Sequence, residues 1–274
     1  MSCQCTPANV WQSIVKEAKE QSEQEPMLAS FYHATIINHD SLGASLSYIL
    51  ANKLKTASMP AMAVREVVEE AFDKDPELTE SAAFDICATV SRDPAVQLYS
   101  IPLLYLKGFH ALQGYRVANY LWKQGRFALA TYLQNQISVA CQVDAHPAAR
   151  IGKGIMLDHA TGIVIGETAV VENDVSILQN VTLGGTGKEC GDRHPKIREG
   201  VMIGAGSKIL GNIEVGVGAK IGSGSVVLQP VPEHTTVAGV PAKVVGRPKS
   251  DKPSEDMDQA FNGKSEKLVD GGGI

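Results

Sequence analysis

The stretch IGAGSKILGNIEVGVGAKIGSGSV, residues 203–226, decides the fold, because an aliphatic residue returns in it at every sixth position. Those positions are Ile203, Ile209, Val215 and Ile221. A period of six matches neither an α-helix, whose period is 3.6 residues, nor an ordinary strand, whose period is 2. It is typical of a solenoid in which each hexad forms one short flat face and turns its aliphatic residue inward.

The same period extends outward from that stretch in both directions, with aliphatic residues at Ile151, Leu157, Ile165, Val171, Ile177, Leu183, Ile197 and Val227. Small or β-branched residues stand four places after Ala145 and after many of these aliphatic residues, where they would fill the corner interior: Ala149, Thr161, Ala169, Val175, Ser207, Ala219 and Ser225. We therefore predict about four three-faced coils of a left-handed parallel β-helix.

The repeat is interrupted twice. A two-residue slip lies beside Asp158-His159, and the segment GTGKECGDRHPK (185–196) is inserted further on. Since interruptions of a solenoid repeat are where function is usually placed, both segments are candidates for the site.

The N-terminal half, up to position 140, differs in texture. Segments such as AMAVREVVEEAFDKD (61–75) space apolar residues three or four apart, and prolines stand near segment starts or breaks. The pattern predicts an all-α domain over 1–140, the hexapeptide β-helix over 141–246, and a polar, flexible tail over 247–274.

Composition excludes several classes of protein. The 274 residues are 44% hydrophobic and 20% charged, with a net charge of −5, which gives no electrostatic reason for a nucleic-acid or membrane partner. Without a signal-like or membrane-spanning run, we expect a cytoplasmic protein. Five scattered cysteines make a disulfide framework unexpected, and no CxxC pair suggests a zinc site. Cys190 stands alone in the inserted segment.

The residues suited to chemistry lie mostly at the interruptions, and they are Asp144, Asp158, His159, Arg193 and His194, with Asp93 in the helical half. An imidazole oriented by a carboxylate makes a general base near neutral pH. The spacing between Asp144 and His159 is close to the length of one coil of three hexads, so they could face each other across neighbouring coils. A guanidinium such as that of Arg193 binds carboxylates bidentately.

Each candidate also has a structural interpretation. His159 could be a hydrogen-bonded corner residue, the three aspartates could form turns or caps, and Arg193-His194 could be a solvated loop. Lys220 could be an ordinary surface lysine. An open zinc site built from His146, His159 and His194 must also be weighed, although no close histidine pair supports it.

Longer segments carry a specific resemblance. MLDHATGIVIGETAVVENDVSILQNVTLGGTGK (156–188) and GDRHPKIREGVMIGAGSKILGNIEVG (191–216) resemble the bacterial serine O-acetyltransferase family, within the left-handed β-helix acyltransferase superfamily. The helical half is similar as well, in EPMLASFYHATIINH (25–39), REVVEEAF (65–72), RDPAV (92–96) and PLLYLKGFHALQGYR (102–116). The resemblance covers essentially the whole chain.

This resemblance implies transfer of an acetyl group from acetyl-CoA to the hydroxyl of L-serine, without a metal, for cysteine biosynthesis. It gives His159 as the general base and Asp144 as its orienting carboxylate. It places Asp93, Asp158, Arg193 and His194 around the amino acid. The acetyl-CoA site, in a groove between neighbouring prisms, would include Gly185, Ala205 and Lys220.

The resemblance also implies partners. We expect trimers paired through the helical domains into a homohexamer, feedback inhibition by L-cysteine, and insertion of the terminal Ile274 into O-acetylserine sulfhydrylase. Three alternatives stay open: the same fold with another acceptor, a metal-dependent hydratase of the γ-carbonic anhydrase type, and a scaffold that only binds the sulfhydrylase.

Overall fold

The computed structural model describes residues 5–187 and 190–260. Its α-helices are α1 (Pro7–Gln24), α2 (Ala29–Tyr32), α3 (Leu42–Leu54), α4 (Ala61–Lys74), α5 (Pro76–Arg92), α6 (Ser100–Tyr105), α7 (Lys107–Lys123), α8 (Phe127–Cys141) and α9 (Pro253–Asp256). A 3-10 turn (Pro26–Leu28) precedes α2 and a π-helical turn (His33–Ile37) follows it. The N-terminal half is therefore helical, as predicted.

Polar caps and prolines begin several of these helices. The Thr6 hydroxyl accepts the Asn9 N–H before Pro7, and the Asp75 carboxylate accepts the Glu77 N–H before Pro76. Proline fits the first turn because its missing N–H would have no partner there. Such caps define where α1 and α5 begin.

The helical half packs around α7, which is buried over most of its length and contacts α8, α5, α4 and α6. A buried polar cluster ties it to the solenoid. The Asp85 carboxylate, fully buried, accepts hydrogen bonds from Arg116 Nη2 at 2.7 Å, Gln113 Nε2 at 3.0 Å and the Ile155 N–H at 2.9 Å. Because each donor offsets part of the cost of burying that charge, the cluster fixes the junction of the two halves.

A disulfide joins Cys5 to Cys87 of α5, with Cα atoms 6.1 Å apart. A framework of disulfides was not expected, and this single pair was not predicted. The two residues are 82 positions apart, so their spacing carried no signal, and only the packing of the chain before α1 against α5 brings them together. Cys141 is a buried free thiol and Cys190 an exposed one.

The C-terminal half is a three-faced solenoid of parallel strands. Face A contains β1 (Val143–Ala145), β4 (Ile163–Ile165), β7 (Thr182–Gly184), β10 (Lys208–Leu210) and β13 (Val226–Val227). Face B contains β2 (Arg150–Ile151), β5 (Val170–Val171), β8 (Lys196–Ile197) and β11 (Glu214–Val215). Face C contains β3 (Met156–Leu157), β6 (Ser176–Ile177), β9 (Met202–Ile203), β12 (Lys220–Ile221) and β14 (Thr236–Gly239), closed by antiparallel β15 (Ala242–Gly246).

The strand register gives the number of residues in each turn, which can be compared with the length of three hexads. Ile197 pairs with Val215, a turn of three hexads with nothing added. Ile151 pairs with Val171, a turn that is longer by two positions, and this excess confirms the predicted slip. Val171 pairs with Ile197 across a turn that is longer still, and this excess confirms the insertion. Five strands on face A make about five turns, one more than predicted, since β1 already begins a turn.

The predicted corner residues are buried with one exception. Ala149, Ala169, Val175, Ser207, Ala219 and Ser225 are all at most 1% exposed. Thr161 is only half-buried, and Ala160 fills that corner instead. The slip explains the exchange, because His159 and Ala160 both adopt the left-handed conformation, with φ of 53° and 59°.

Residues 247–260, predicted to belong to a flexible tail, pack on the prism. Pro253 and Ser254 of α9 are buried, and the Ser254 carbonyl accepts a hydrogen bond from Ser176 Oγ at 2.9 Å. The polar composition of the segment did not predict this contact, because a polar segment can pack through its backbone.

Ile274 lies outside the described residues. Of the helices in the described ranges, none combines the length and apolar character needed to cross a membrane.

Candidate functional site

One candidate corner, residues 157–161, lies between β3 and β4 and is called here the His159 corner. The imidazole of His159 is 77% exposed, and its Nε2 lies 3.8 Å from Asp158 Oδ1. Two consecutive left-handed residues, His159 and Ala160, make this turn. Such backbone is uncommon outside glycine, so the surroundings must hold it in place.

The start of α7 holds the His159 corner from the helical side. A Cβ added to Gly108 would collide with the Leu157 carbonyl oxygen and lie 3.0 Å from the Ala160 Cβ. Lys107 Nζ donates a hydrogen bond to Thr161 Oγ1. Sequence reasoning missed Lys107 and Gly108 as contributors to the site, although both stand in the PLLYLKGFHALQGYR segment that it singled out.

Asp93 lies near the same corner, at the C-terminal end of α5. Its Oδ1 accepts the Ala95 N–H at 2.9 Å, so it does form the turn that was the alternative interpretation. Burial raises the pKa of Asp158, the neighbouring His159 opposes that change, and the charge of Asp93 raises the pKa further. Two carboxylates close enough to repel each other form a site that a cation would stabilise.

The second candidate corner, residues 166–168 with Arg193 and His194, lies between faces A and B and is called here the His194 corner. His194 is only 8% exposed, and its Nδ1 accepts the Thr168 backbone N–H at 3.2 Å. Thr168 Oγ1 in turn accepts the backbone N–H groups of Arg193 and His194, at 3.0 and 3.1 Å. These hydrogen bonds hold this part of the inserted segment in a fixed conformation, so it is not a solvated loop.

Charge and space at the His194 corner are also defined. Burial lowers the pKa of His194, and the Arg193 charge lowers it further. Arg193 Nη2 pairs with Glu167 Oε2 at 2.5 Å. A Cβ on Gly166 would collide with the His194 ring, so glycine there makes room for the imidazole. The result is a neutral imidazole whose Nε2 carries the proton, since a backbone N–H can only donate.

Asp144 lies on β1 of face A, where its Oδ1 accepts a hydrogen bond from Gln134 Nε2 at 2.8 Å. Across the described part of the chain, no hydrogen bond or ion pair joins Asp144 to His159. Its register partner is Val164, in the strand that leaves the His159 corner. The neighbouring His146 packs edge-on against Trp122, with ring centroids 5.0 Å apart.

Strand β4 separates the two corners. His159 precedes it and Gly166 follows it, so the strand, roughly 10 Å long, stands between them. Within one chain the structure therefore brings Asp93, Asp158 and His159 together, but not with Arg193 and His194. Within residues 5–187 and 190–260, no cluster of three histidine, cysteine or carboxylate side chains could hold a metal ion.

The residues expected at the acetyl-CoA site are divided in the same way. Gly185 follows β7 on the side of the His194 corner, whereas Ala205 lies at the turn between β9 and β10 on the side of the His159 corner. Lys220 of β12 is 4% exposed, and its Nζ donates to the Ala260 carbonyl at 2.7 Å. The segment before residue 260 therefore covers this amine.

Comparison with known proteins agrees with this architecture. The family model "Serine acetyltransferase, N-terminal" matches residues 10–114, and "Bacterial transferase hexapeptide (six repeats)" matches residues 194–229. The serine acetyltransferase of Escherichia coli K12 is 71% identical over 265 residues, 97% of each chain.

Solved structures are similar over nearly the same length. The crystal structure of serine acetyltransferase from Vibrio cholerae O1 biovar El Tor N16961 is 83% identical, covers 94% of this chain and 100% of its own, and has a TM-score of 0.93. A serine acetyltransferase complex with cysteine is 66% identical, with coverages of 94% and 100% and a TM-score of 0.92. A complex with CoA is also 66% identical, with coverages of 88% and 100% and a TM-score of 0.85.

A helical half that matches the N-terminal model, a prism of hexads and a relative 71% identical over 97% of both chains lead to one assignment. The chain is an acyltransferase and belongs to the serine acetyltransferase family.

Proposed function

We propose that the chain transfers the acetyl group of acetyl-CoA directly to the hydroxyl of L-serine, with His159 as the general base. One observation carries the proposal: an exposed imidazole lies beside the Asp158 carboxylate, on which the charge of Asp93 also acts. A serine hydroxyl is a weak nucleophile at neutral pH, so it needs a positioned base to take its proton as it attacks the thioester.

The carboxylate pair suits the ammonium group of an amino acid. Asp158 and Asp93 repel each other, and a bound cation relieves that repulsion. The opposite end of the amino acid needs donors, which Arg193 and the Nε2–H of His194 supply. Together these groups fit a zwitterion whose hydroxyl points to His159.

These groups meet only if the His194 corner of a second copy approaches the His159 corner of the first. Face A then lies between the copies, and its outward Val164 is 38% exposed in the single chain. Three copies of the chain joined by this contact would form a closed ring. Acetyl-CoA would occupy the groove so formed, with Gly185 from one copy opposite Ala205 and Lys220 from the other.

The pairing of trimers into a hexamer through the helical domains stays a prediction. An exposed apolar surface on that half is consistent with it, and includes Met27, 89% exposed, with Leu28, Phe31 and Tyr105. The cytoplasmic location and the sulfhydrylase as partner of Ile274 are likewise predictions.

Asp144 remains the proposed orienting carboxylate for His159. Its Oδ1 accepts the Gln134 amide here, and its other lone pairs stay available, so the role requires Asp144 and His159 to come within hydrogen-bond distance when substrate is bound. Catalytic hydrogen bonds often form fully only in the substrate complex, which makes such a rearrangement reasonable.

Feedback inhibition by L-cysteine follows from the same pocket, because cysteine differs from serine by one sulfur atom and keeps both charged ends. A relative 66% identical has been solved in complex with cysteine, and one of equal identity with CoA. The Ala260 carbonyl accepts a hydrogen bond from the Lys220 amine, so acetyl-CoA must displace the segment around residue 260 before it reaches the lysine. We propose that cysteine at Arg193 and His194 shifts the inserted loop, and with it tail residues 258–260, out of the arrangement that admits CoA, so that CoA binds less well.

The test is release of the CoA thiol from acetyl-CoA with L-serine, D-serine, homoserine, a simple sugar or no acceptor. We expect release with L-serine above all others, and competitive suppression by L-cysteine. Release with another acceptor alone would overturn the serine assignment, and CoA affinity unaltered by saturating cysteine would overturn the proposed mode of inhibition.

A further inference from the structure

The residue before Asp93 is a buried arginine that joins three parts of the molecule. The Arg92 side chain is 3% exposed, and its Nη1 donates to the Gly154 carbonyl at 2.9 Å and to Ser176 Oγ at 3.2 Å. Its Nη2 lies 3.3 Å from Asp174 Oδ1. Arg92 thereby anchors the end of α5 to two successive turns of the prism.

The docked tail segment is attached to the same two prism residues. Lys252 Nζ contacts Asp174 Oδ2 at 3.2 Å, and Ser176 Oγ donates to the Ser254 carbonyl at 2.9 Å. Asp174 and Ser176 thus each hold Arg92 on one side and the tail on the other. We call this set, Arg92, Asp174, Ser176, Lys252 and Ser254, the tail latch.

Asp93 follows the anchor directly, with its Cα about 3.8 Å from that of Arg92. The Arg92 side chain is 3% exposed and hydrogen-bonded at both terminal nitrogens, so it has little freedom to absorb a displacement of its partners. We expect such a displacement to reach the backbone that carries the Asp93 carboxylate. Asp93 acts electrostatically on Asp158, so the separation of the two carboxylates depends on where α5 ends. Arg92 is held there by Asp174 and Ser176 of the tail latch and by the Gly154 carbonyl.

The stability of the latch depends on the tail. A buried guanidinium needs its partners, because removing one leaves an uncompensated charge. Asp174 is 32% exposed and shares its carboxylate between Arg92 and Lys252, so loss of Lys252 leaves Arg92 as its one partner in this set and gives water more access to the carboxylate. The anchor under Asp93 then loosens.

We propose that Arg92, Asp174 and Lys252 are positioning residues that couple docking of residues 252–254 to binding of the amino-acid substrate. The docked tail holds Asp93 at its distance from Asp158 and so preorganises the ammonium site. The Lys220–Ala260 contact lies beyond the latch, so acetyl-CoA can displace residues 258–260 while 252–254 stay docked. The inference rests on the proposed function, since it concerns the serine site.

Two variants test the coupling against one control. Lys252→Met removes the ion pairs of Lys252 with Asp174, Glu199 and Glu255. Asp174→Asn removes the ion pairs of Asp174 with Arg92 and Lys252, and asparagine tolerates the left-handed φ of 56° at that position. The control is Lys249→Met, which breaks the exposed Lys249–Asp258 pair on the same segment at 3.0 Å and leaves the latch intact.

Calorimetry on the full chain should show L-serine binding weakened about 5-fold or more by Lys252→Met, a typical size for coupling between sites. Asp174→Asn should weaken it further, and Lys249→Met should leave it unchanged. The KM for L-serine should rise while kcat and the KM for acetyl-CoA hold. Because coupling is reciprocal, saturating L-serine should slow amide hydrogen exchange of residues 252–256 in the parent chain by a matching factor.

Binding of L-serine that is equal in the parent chain and both latch variants would overturn the latch while leaving the proposed function intact. Failure of the parent chain to bind L-serine at all would instead refute the proposed function, and the inference with it. Unchanged exchange of residues 252–256 on adding serine would also overturn the coupling, independently of any activity.

Discussion

The His159 corner and the His194 corner each present a histidine, yet the two imidazoles differ in almost every physical respect. The first is 77% exposed, within 3.8 Å of one carboxylate, on a turn of two left-handed residues. The second is 8% exposed, and its Nδ1 lone pair is committed to the Thr168 backbone N–H. One ring is free to change partners, and the other is fixed.

Because of this difference, the His159 ring can accept a proton, whereas the His194 ring can only donate its Nε2–H. A general base must keep a lone pair available for the proton of the attacking hydroxyl, and only the exposed ring satisfies that requirement. His194, held in one tautomer, can present only its Nε2–H, which suits a carboxylate beside the guanidinium of Arg193. The comparison predicts that losses at the first corner affect turnover and losses at the second affect substrate affinity.

The largest effect is expected from His159→Ala. Because a positioned general base contributes about 10²–10⁴ in rate, kcat should fall by about that factor. The melting temperature should stay within about 1 °C, since an exposed side chain contributes little to packing. Steady-state kinetics with L-serine and acetyl-CoA, with a thermal melt, measure both.

Asp144→Asn is the companion to that variant. If Asp144 orients the imidazole, its loss should lower kcat in the parent chain but have no further effect once His159 is alanine. An unchanged kcat for His159→Ala would remove the general base from the His159 corner and with it the distinction between the corners.

A smaller effect, on affinity rather than turnover, is expected from Gly166→Ala. The added Cβ collides with the His194 ring, and the backbone at this position is not left-handed, so displacement of the imidazole is the main consequence. Loss of one hydrogen bond to a charged group corresponds to a rise of about 10-fold or more in the KM for L-serine.

Gly184→Ala is the matched control for Gly166→Ala. Leu183 pairs with Ile165, so Gly184 is the equivalent position one turn on, and its Cβ would meet only the end of the Leu210 side chain at 3.0 Å and the Thr182 methyl at 3.3 Å. If both variants raise the KM equally, the effect belongs to the prism and not to His194.

Gly108→Ala tests whether the helical half holds the His159 corner. The added Cβ meets the Leu157 carbonyl, which is backbone and cannot swing away. Overpacking of this kind costs about 1–3 kcal/mol, and we expect the corner to shift and kcat to fall several-fold. Gly114→Ala, further along α7, is the control, since its Cβ meets the flexible Ile137 Cδ1 at 2.9 Å. Equal losses of kcat in the two variants would contradict the role of α7 at the corner.

Periodicity found the prism and both interruptions, because an inward aliphatic residue every six positions leaves few alternative folds. Asp158, His159, Arg193 and His194 lie at those interruptions, whereas the acetyl-CoA residues and the roles came from the family resemblance. Periodicity did not predict that the two corners lie apart, because their separation across face A depends on how the solenoid winds in three dimensions. It also missed Lys107, Gly108 and the Cys5–Cys87 disulfide, all contacts between the helical half and partners far along the chain. The polar composition of residues 249–260 carried no sign of the buried Ser254.

A third histidine provides the smallest effect on catalysis and completes the contrast. His110 of α7 is 1% exposed and donates from Nε2 to the Leu103 carbonyl at 2.7 Å. Burial, with the charge of Lys53, lowers its pKa from 6.5 to about 4. Between those two pH values the unfolded chain takes up a proton that the folded chain refuses, so stability falls as the pH falls through the window.

His110→Gln should therefore flatten the acid side of the stability curve. The kcat near neutral pH should change less than about 2-fold, because the described hydrogen bond of the ring goes to the Leu103 carbonyl and not to either corner. From pH 7 to pH 5 this histidine should account for about 2 kcal/mol of lost stability. Urea unfolding of both proteins at the two pH values measures it. Parallel losses in the parent and the variant would show that His110 takes no part, and the acid sensitivity would then belong to other groups, among them the buried His194, whose pKa is also lowered.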